Sequence, residues 1–151
     1  MPKLHVLVVD DEQGMLEVCD DILSSIPKVR VSLESDGIRA AQRIEQEEFD
    51  LLLLDMQLPG TSGSELLHKA KQINPDIHVL MMTAYPKVSS AVDCMKLGAD
   101  DYITKPFLPD DLRSAAQHLL DQTRRRHENQ LLLREGKDPY RFDDIIGKCE
   151  A

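Results

Sequence analysis

Phe49-Asp50-Leu51-Leu52-Leu53-Leu54-Asp55-Met56-Gln57-Leu58-Pro59-Gly60 is the stretch from which the fold can be read. Four leucines in a row leave no polar face, as in a strand buried on both sides of a parallel sheet. The Pro59-Gly60 pair then turns the chain. Asp55 is therefore expected at the C-terminal end of the strand, where open α/β sheets carry their ligands and their chemistry. A second apolar run, Leu4-His5-Val6-Leu7-Val8-Val9, also ends in acid, at Asp10, Asp11 and Glu12. Carboxylates gathered at two neighbouring strand ends repel one another unless a cation sits among them.

Strand and helix patterns alternate outward from these two runs. Met15, Val18, Cys19, Ile22, Leu23 and Ile26 recur at helical spacing over residues 14–26, before Pro27. Val29–Leu33 alternates with period two, as an edge or half-buried strand does. After the Asp36-Gly37 turn, Ile38, Ala41 and Ile44 share one helical face. A helix beginning at Ser64 ends at Asn74-Pro75, and Ile77–Met82 is the fourth strand, followed by Thr83. Residues 87–97 read as a helix stopped by Gly98. Asp101–Thr104 is a short fifth strand, and Pro109 opens a last helix with Leu112, Ala115, Ala116, Leu119 and Leu120 on one face. Five strands alternating with five helices predict an α/β fold, a doubly wound parallel sheet.

The last helix has no clean stop. Thr123–Gln130 is polar and helix-compatible, Leu131-Leu132-Leu133 follows, and Gly136, Asp138 and Pro139 break the pattern. A helical connector over residues 123–139, able to pair with its twin, and a frayed solvated tail both fit. Residues 140–151 are too few to fold alone and read as the start of a further module.

Composition narrows the function. With 151 residues and 42% hydrophobic content the chain can bury one core of ordinary size. A net charge of −9 and 4% aromatics with no Trp argue against nucleic-acid binding by this segment. Cys19, Cys94 and Cys149 are odd in number and far apart, which suits a reducing cytoplasm better than a disulfide framework or a zinc site. Met1-Pro2-Lys3-Leu4 lacks the apolar core of a signal peptide, and no run approaches the ~20 residues of a membrane span. The expectation is a cytoplasmic protein with no membrane partner.

Asp10, Asp11, Asp55, Thr83 and Lys105 all fall at or just past strand ends, and a parallel sheet brings such ends to one edge. Taken singly, each has an ordinary explanation: a turn-former, a helix cap or an exposed loop. Together they fit phosphoryl transfer. Mg²⁺ takes oxygen ligands, a carboxylate can be the nucleophile, and an ammonium and a hydroxyl stabilise the phosphoryl oxygens.

The motifs Val8-Val9-Asp10-Asp11-Glu12, Leu54–Gly60, Met82-Thr83-Ala84 and Tyr102-Ile103-Thr104-Lys105-Pro106-Phe107 resemble those of response-regulator receiver domains of bacterial two-component signalling. They span residues 4–120 in the family's order. The resemblance implies a flavodoxin-like (βα)5 fold with strand order 2-1-3-4-5, the receiver occupying residues 1–122. It implies that Asp55 accepts a phosphoryl group from a sensor histidine kinase, with Asp11, Asp55 and the backbone carbonyl of Gln57 as Mg²⁺ ligands and Asp10 acting through water. Lys105 would pair with the phosphoryl group, its peptide to Pro106 being cis. Thr83 and Tyr102 would form the switch pair, although Tyr102 also fits a plain half-buried strand aromatic. Ser62 stands where many relatives carry an acid.

Tyr140–Lys148 resembles the opening of the AAA+ ATPase domain of sigma-54-dependent, NtrC-type transcription activators. That implies a receiver-plus-linker piece dimerising through the helix from Pro109 to Leu133. A stand-alone receiver acting by protein contact is the alternative. An aspartyl-nucleophile phosphohydrolase fits less well, because Gln57 occupies the position where such enzymes need a second acid. An FMN-binding flavodoxin relative lacks the phosphate loop after the first strand.

Overall fold

The structure is a computed structural model, and it describes residues 3–84, 93 and 95–134. The chain divides into two compact units, Met1–Leu120 and Asp121–Ala151.

In the first unit, β1 (Leu4–Val9), β2 (Val29–Glu34), β3 (Leu51–Asp55), β6 (His78–Thr83) and β7 (Asp101–Thr104) form a parallel sheet in the order β2-β1-β3-β6-β7. Counting only these strands, the order is the expected 2-1-3-4-5. Between β3 and β6 lies a separate antiparallel hairpin of two-residue strands, β4 (Gln57–Leu58) and β5 (Thr61–Ser62). Strands of two residues carry no periodicity, and nothing in the sequence points to this hairpin.

Burial on both faces explains the unbroken leucines. Val6, Val8, Leu51, Leu53, Leu80 and Met82 point to one side, where α1 (Gln13–Ser24) and the last helix, α4 (Pro109–Arg134), pack through Leu16, Cys19, Leu23, Leu112 and Ala116. Their neighbours Leu7, Val9, Leu52, Leu54, Val79 and Met81 point to the other side. There α2 (Gly37–Gln46) and α3 (Gly63–Ile73) supply Ala40, Ile44, Leu66, Leu67 and Ala70. Each fully buried leucine contributes roughly 1.5–3 kcal/mol relative to exposure, so alternation with polar residues would have cost one layer or the other.

Helix boundaries follow local chemistry. The Asp36 side chain accepts from the Ile38 N–H at 2.9 Å and caps α2. Ser62 accepts from the Glu65 N–H at 3.2 Å, so α3 begins at Gly63, one residue earlier than Ser64. Pro59 and Gly60 turn the hairpin, Gly60 at φ 80°, where a side chain would be strained. Of the helix expected over 87–97, only Asp93, Met95 and the two residues after it are described; Asp93, Met95 and Lys96 are helical, and Gly98 follows at φ 111°. Residues 85–92 and 94 lie outside the described residues.

The second unit is described from Asp121 to Arg134, entirely helical, with Arg124 Nη1 lying 3.5 Å from Asp121 Oδ1. The remainder of the expected connector, and Tyr140–Lys148, lie outside the described residues. Among the described residues, no helix is long and apolar enough to cross a membrane.

Candidate phosphoacceptor site

The C-terminal edge of the sheet is knitted beyond its strands. The Asp10 N–H donates to the Glu34 carbonyl at 3.2 Å, that of Met56 to Met82 at 2.9 Å and that of Lys105 to Thr83 at 2.7 Å. These bonds tie the exit of β1 to β2, that of β3 to β6 and that of β7 to β6. Asp10 and Lys105, 95 positions apart in sequence, meet there at 2.6 Å.

Asp10 is fully buried, Asp55 nearly so, and Asp11 exposed. One carboxylate oxygen of each lies within 4.8 Å of the others. Lys105 Nζ donates to Asp10 Oδ2 at 2.6 Å and to Asp55 Oδ2 at 3.1 Å. The remaining oxygens are engaged by backbone: the Glu12 N–H donates to Asp10 Oδ1 at 2.9 Å, and the Gln57 N–H to Asp55 Oδ1 at 3.2 Å. Burial alone would depress the Lys105 ammonium, but the hydrogen bonds it donates to the Asp10 and Asp55 carboxylates outweigh that, and its pKa lies above the ordinary lysine value.

Three carboxylates facing one ammonium leave the cluster short of positive charge. The donor set is all oxygen, with no sulfur or imidazole, which suits a hard divalent cation such as Mg²⁺. An open cleft of about 450 Å³ lies over it, lined by Asp11, Glu12, Asp55, Gln57, Thr83 and Lys105 among others. Asp10 sits beneath this lining and reaches the cleft through Lys105 and Asp55.

Thr83, at the end of β6, lines the cleft. Tyr102 does not; it stands on β7 and is 43% exposed. Register pairs Met81 with Tyr102 and Thr83 with Thr104, so Thr83 and Tyr102 share one face of the sheet as diagonal neighbours. The Lys105–Pro106 peptide is cis.

Gly63 has a part that its sequence position gave no reason to suspect. A Cβ there would lie 2.3 Å from the Asp55 carbonyl oxygen and 3.0 Å from Met56 Cα, so α3 can start against the Asp55 backbone only without a side chain. Its N–H donates to the Met56 carbonyl at 3.1 Å.

Residues 6–117 match the family model of the response regulator receiver domain. The chain belongs to the response regulator receiver family. Receiver domains are signalling modules of two-component systems, and this one has their CheY-like flavodoxin fold. It is 36% identical over 122 residues to Transcriptional regulatory protein ZraR of Klebsiella oxytoca, covering 81% of this chain and 27% of that protein. It is 32% identical over 120 residues to Sporulation initiation phosphotransferase F of Bacillus subtilis, covering 80% of this chain and 96% of that one. This chain thus spans about a quarter of the length of ZraR. Among solved structures, a receiver domain from Methanospirillum hungatei superposes with TM-score 0.77 at 32% identity, over 82% of this chain and 98% of that one. NtrX from Brucella abortus gives 0.76 at 30% identity, over 86% of this chain and 29% of that one.

Proposed function

We propose that this receiver accepts a phosphoryl group on Asp55 from a phosphohistidine of a sensor kinase. The observation that carries the reading is the Lys105 ammonium bridging Asp10 and Asp55 at the sheet edge, with Asp11 alongside. An oxygen of Asp55 attacks phosphorus as the P–N bond to the donor imidazole breaks, and that nitrogen leaves with the bonding pair. Lys105 and the Thr83 hydroxyl stabilise charge on the phosphoryl oxygens. Asp11, Asp55 and the Gln57 carbonyl would hold Mg²⁺, with Asp10 bound through water. That ion, when bound, offsets the negative charge gathered in transfer.

The new phosphoryl group brings charge of about −1.5 to −2 and fresh acceptors, which gives the Thr83 hydroxyl reason to reorient toward it and Tyr102 room to turn inward. Tyr102 begins from an exposed position on the same sheet face. The domain serves as a switch rather than a turnover enzyme, catalysing only its own phosphorylation and dephosphorylation. Its donor is a cytoplasmic kinase, so the protein acts in the cytoplasm.

Similarity to ZraR, a transcriptional regulatory protein, and to NtrX supports control of transcription as the output. Together with the Tyr140–Lys148 resemblance, it favours a sigma-54-dependent AAA+ activator, with the helix from Pro109 and its linker as the homodimer contact. The near-complete coverage of Sporulation initiation phosphotransferase F supports a second reading, a stand-alone receiver acting through protein contacts.

Acetyl phosphate with Mg²⁺ tests the central step. Wild type should gain the mass of one phosphoryl group, and Asp55→Asn should gain none. An equal gain in the variant would overturn the assignment, and steady release of phosphate from a phosphomonoester would favour a phosphohydrolase. Sedimentation with and without a phosphoryl mimic tests dimerisation.

A further inference from the structure

Gly37, the first residue of α2, belongs to none of the acidic cluster, yet the hairpin that carries Gln57 rests on it. A Cβ at this buried glycine would lie 2.3 Å from Thr61 Cγ2, and 3.5 Å from both Leu58 Cβ and the Pro59 carbonyl oxygen. Three consecutive parts of one hairpin therefore close over the space that a side chain would fill. Within that hairpin Gln57 pairs with Ser62 and Leu58 with Thr61. Gln57 in turn donates its N–H to Asp55 Oδ1 at 3.2 Å. Thr61 is thus connected through two rungs to the peptide beside the Asp55 carboxylate.

We propose that Gly37 is a positioning residue for the cation- and phosphoryl-binding loop: its missing side chain is the seat of the β4–β5 hairpin and sets where Gln57 presents its backbone to Asp55 and the cation. The inference rests on the Mg²⁺ reading of the site. The displacement forced by a methyl group is about 1 Å, the gap between 2.3 Å and an ordinary contact of 3.4 Å. Thr61 is β-branched and its χ1 is restricted, so relief comes from moving the hairpin. Thr61→Ser removes the one offending atom. The next neighbours, at 3.5 Å, already stand at ordinary contact distance.

Mg²⁺ titrations followed by the Gln57 amide resonance, with melting curves in EDTA as a control for folding, test the proposal. Gly37→Ala should weaken Mg²⁺ binding about tenfold or more, the loss seen when residues supporting a metal site are altered. Thr61→Ser alone should bind nearly as wild type does, and Gly37→Ala/Thr61→Ser should recover wild-type affinity. Because alanine favours helix more than glycine, the double variant should melt no lower than Thr61→Ser. Unchanged Mg²⁺ affinity in Gly37→Ala, or no recovery in the double variant, overturns the proposal while leaving the Mg²⁺ reading intact. Should Gly37→Ala not fold, the double variant must fold and bind; its failure overturns the proposal equally. No Mg²⁺ binding by wild type removes both readings.

Discussion

Replacing Lys105 with methionine keeps the length of the side chain and removes the positive charge that two acids share. The ammonium sits 2.6 Å from Asp10 Oδ2 and 3.1 Å from Asp55 Oδ2, with its side chain 10% exposed. At an effective dielectric constant near 20 these attractions amount to roughly 6 and 5 kcal/mol. Most of that is balanced in the folded protein by the cost of taking the ammonium and the carboxylates out of water. The net loss should be about 3–5 kcal/mol, the usual consequence of removing one partner from a buried pair. For a domain of this size that lowers the melting temperature by roughly 10–20 °C. The fully buried Asp10 carries most of the penalty, because Asp55 keeps some exposure and lines the open cleft. Mg²⁺ should then restore more stability to Lys105→Met than to wild type, since it meets the same three carboxylates without a competing cation. Ligand at one hundred times its dissociation constant adds about 2.7 kcal/mol. Melting curves of both proteins in EDTA and in excess Mg²⁺ provide the measurement. A variant that melts within about 3 °C of wild type in EDTA would refute the idea that Lys105 compensates buried charge.

Three further outcomes are expected. Burial, and then the neighbouring Arg30 guanidinium, hold the His5 pKa below its ordinary value, so the fold favours neutral imidazole. Stability from this site is present above about pH 6.5, where the unfolded histidine loses its proton, and is lost as pH falls toward the folded pKa. His5→Gln should flatten that limb in urea titrations, and an unchanged slope would contradict the assignment. Burial would raise the Asp100 carboxyl, but His78, the Val79 N–H and Lys71 together hold it below its ordinary range, so it should contribute a separate acid limb below about pH 4. Asp100→Asn should remove it. The Cys19 thiol is pushed up to about 12, chiefly by burial and then by Asp10. In a Cys94→Ser/Cys149→Ser background it should resist maleimide at pH 8 until the protein unfolds, and rapid labelling of the native state would contradict its burial.

The main sheet was legible because both of its faces are covered. Leu51–Leu54 had to be apolar throughout, and that run cannot be mistaken for an amphipathic element. The β4–β5 hairpin was not legible. Two-residue strands have no periodicity to detect, and what seats them is a contact with Gly37, twenty residues upstream of Gln57. The start of α3 was misplaced by one residue for a related reason. Ser62 and Ser64 are both plausible caps, and only the backbone path out of the hairpin selects Ser62.

At the C-terminal edge of the sheet, which residues gather was legible, because a parallel sheet sends all its strand ends one way. Their unequal roles were not. Asp10 and Asp11 are neighbours in sequence, yet the alternation of extended backbone buries one against Lys105 and leaves the other in water. That division bears on the order of events. Lys105 is already committed to Asp10 and Asp55, so the three acids keep a net charge near −2 before any ligand arrives. A phosphoryl group would replace the single charge of Asp55 with about −1.5 to −2, against the same ammonium. Transfer without a divalent cation therefore adds anion to an uncompensated anionic site. The exposed Asp11 gives an incoming cation a carboxylate that need not first be freed from Lys105. Cation first and phosphoryl group second is the order this arrangement of charge favours.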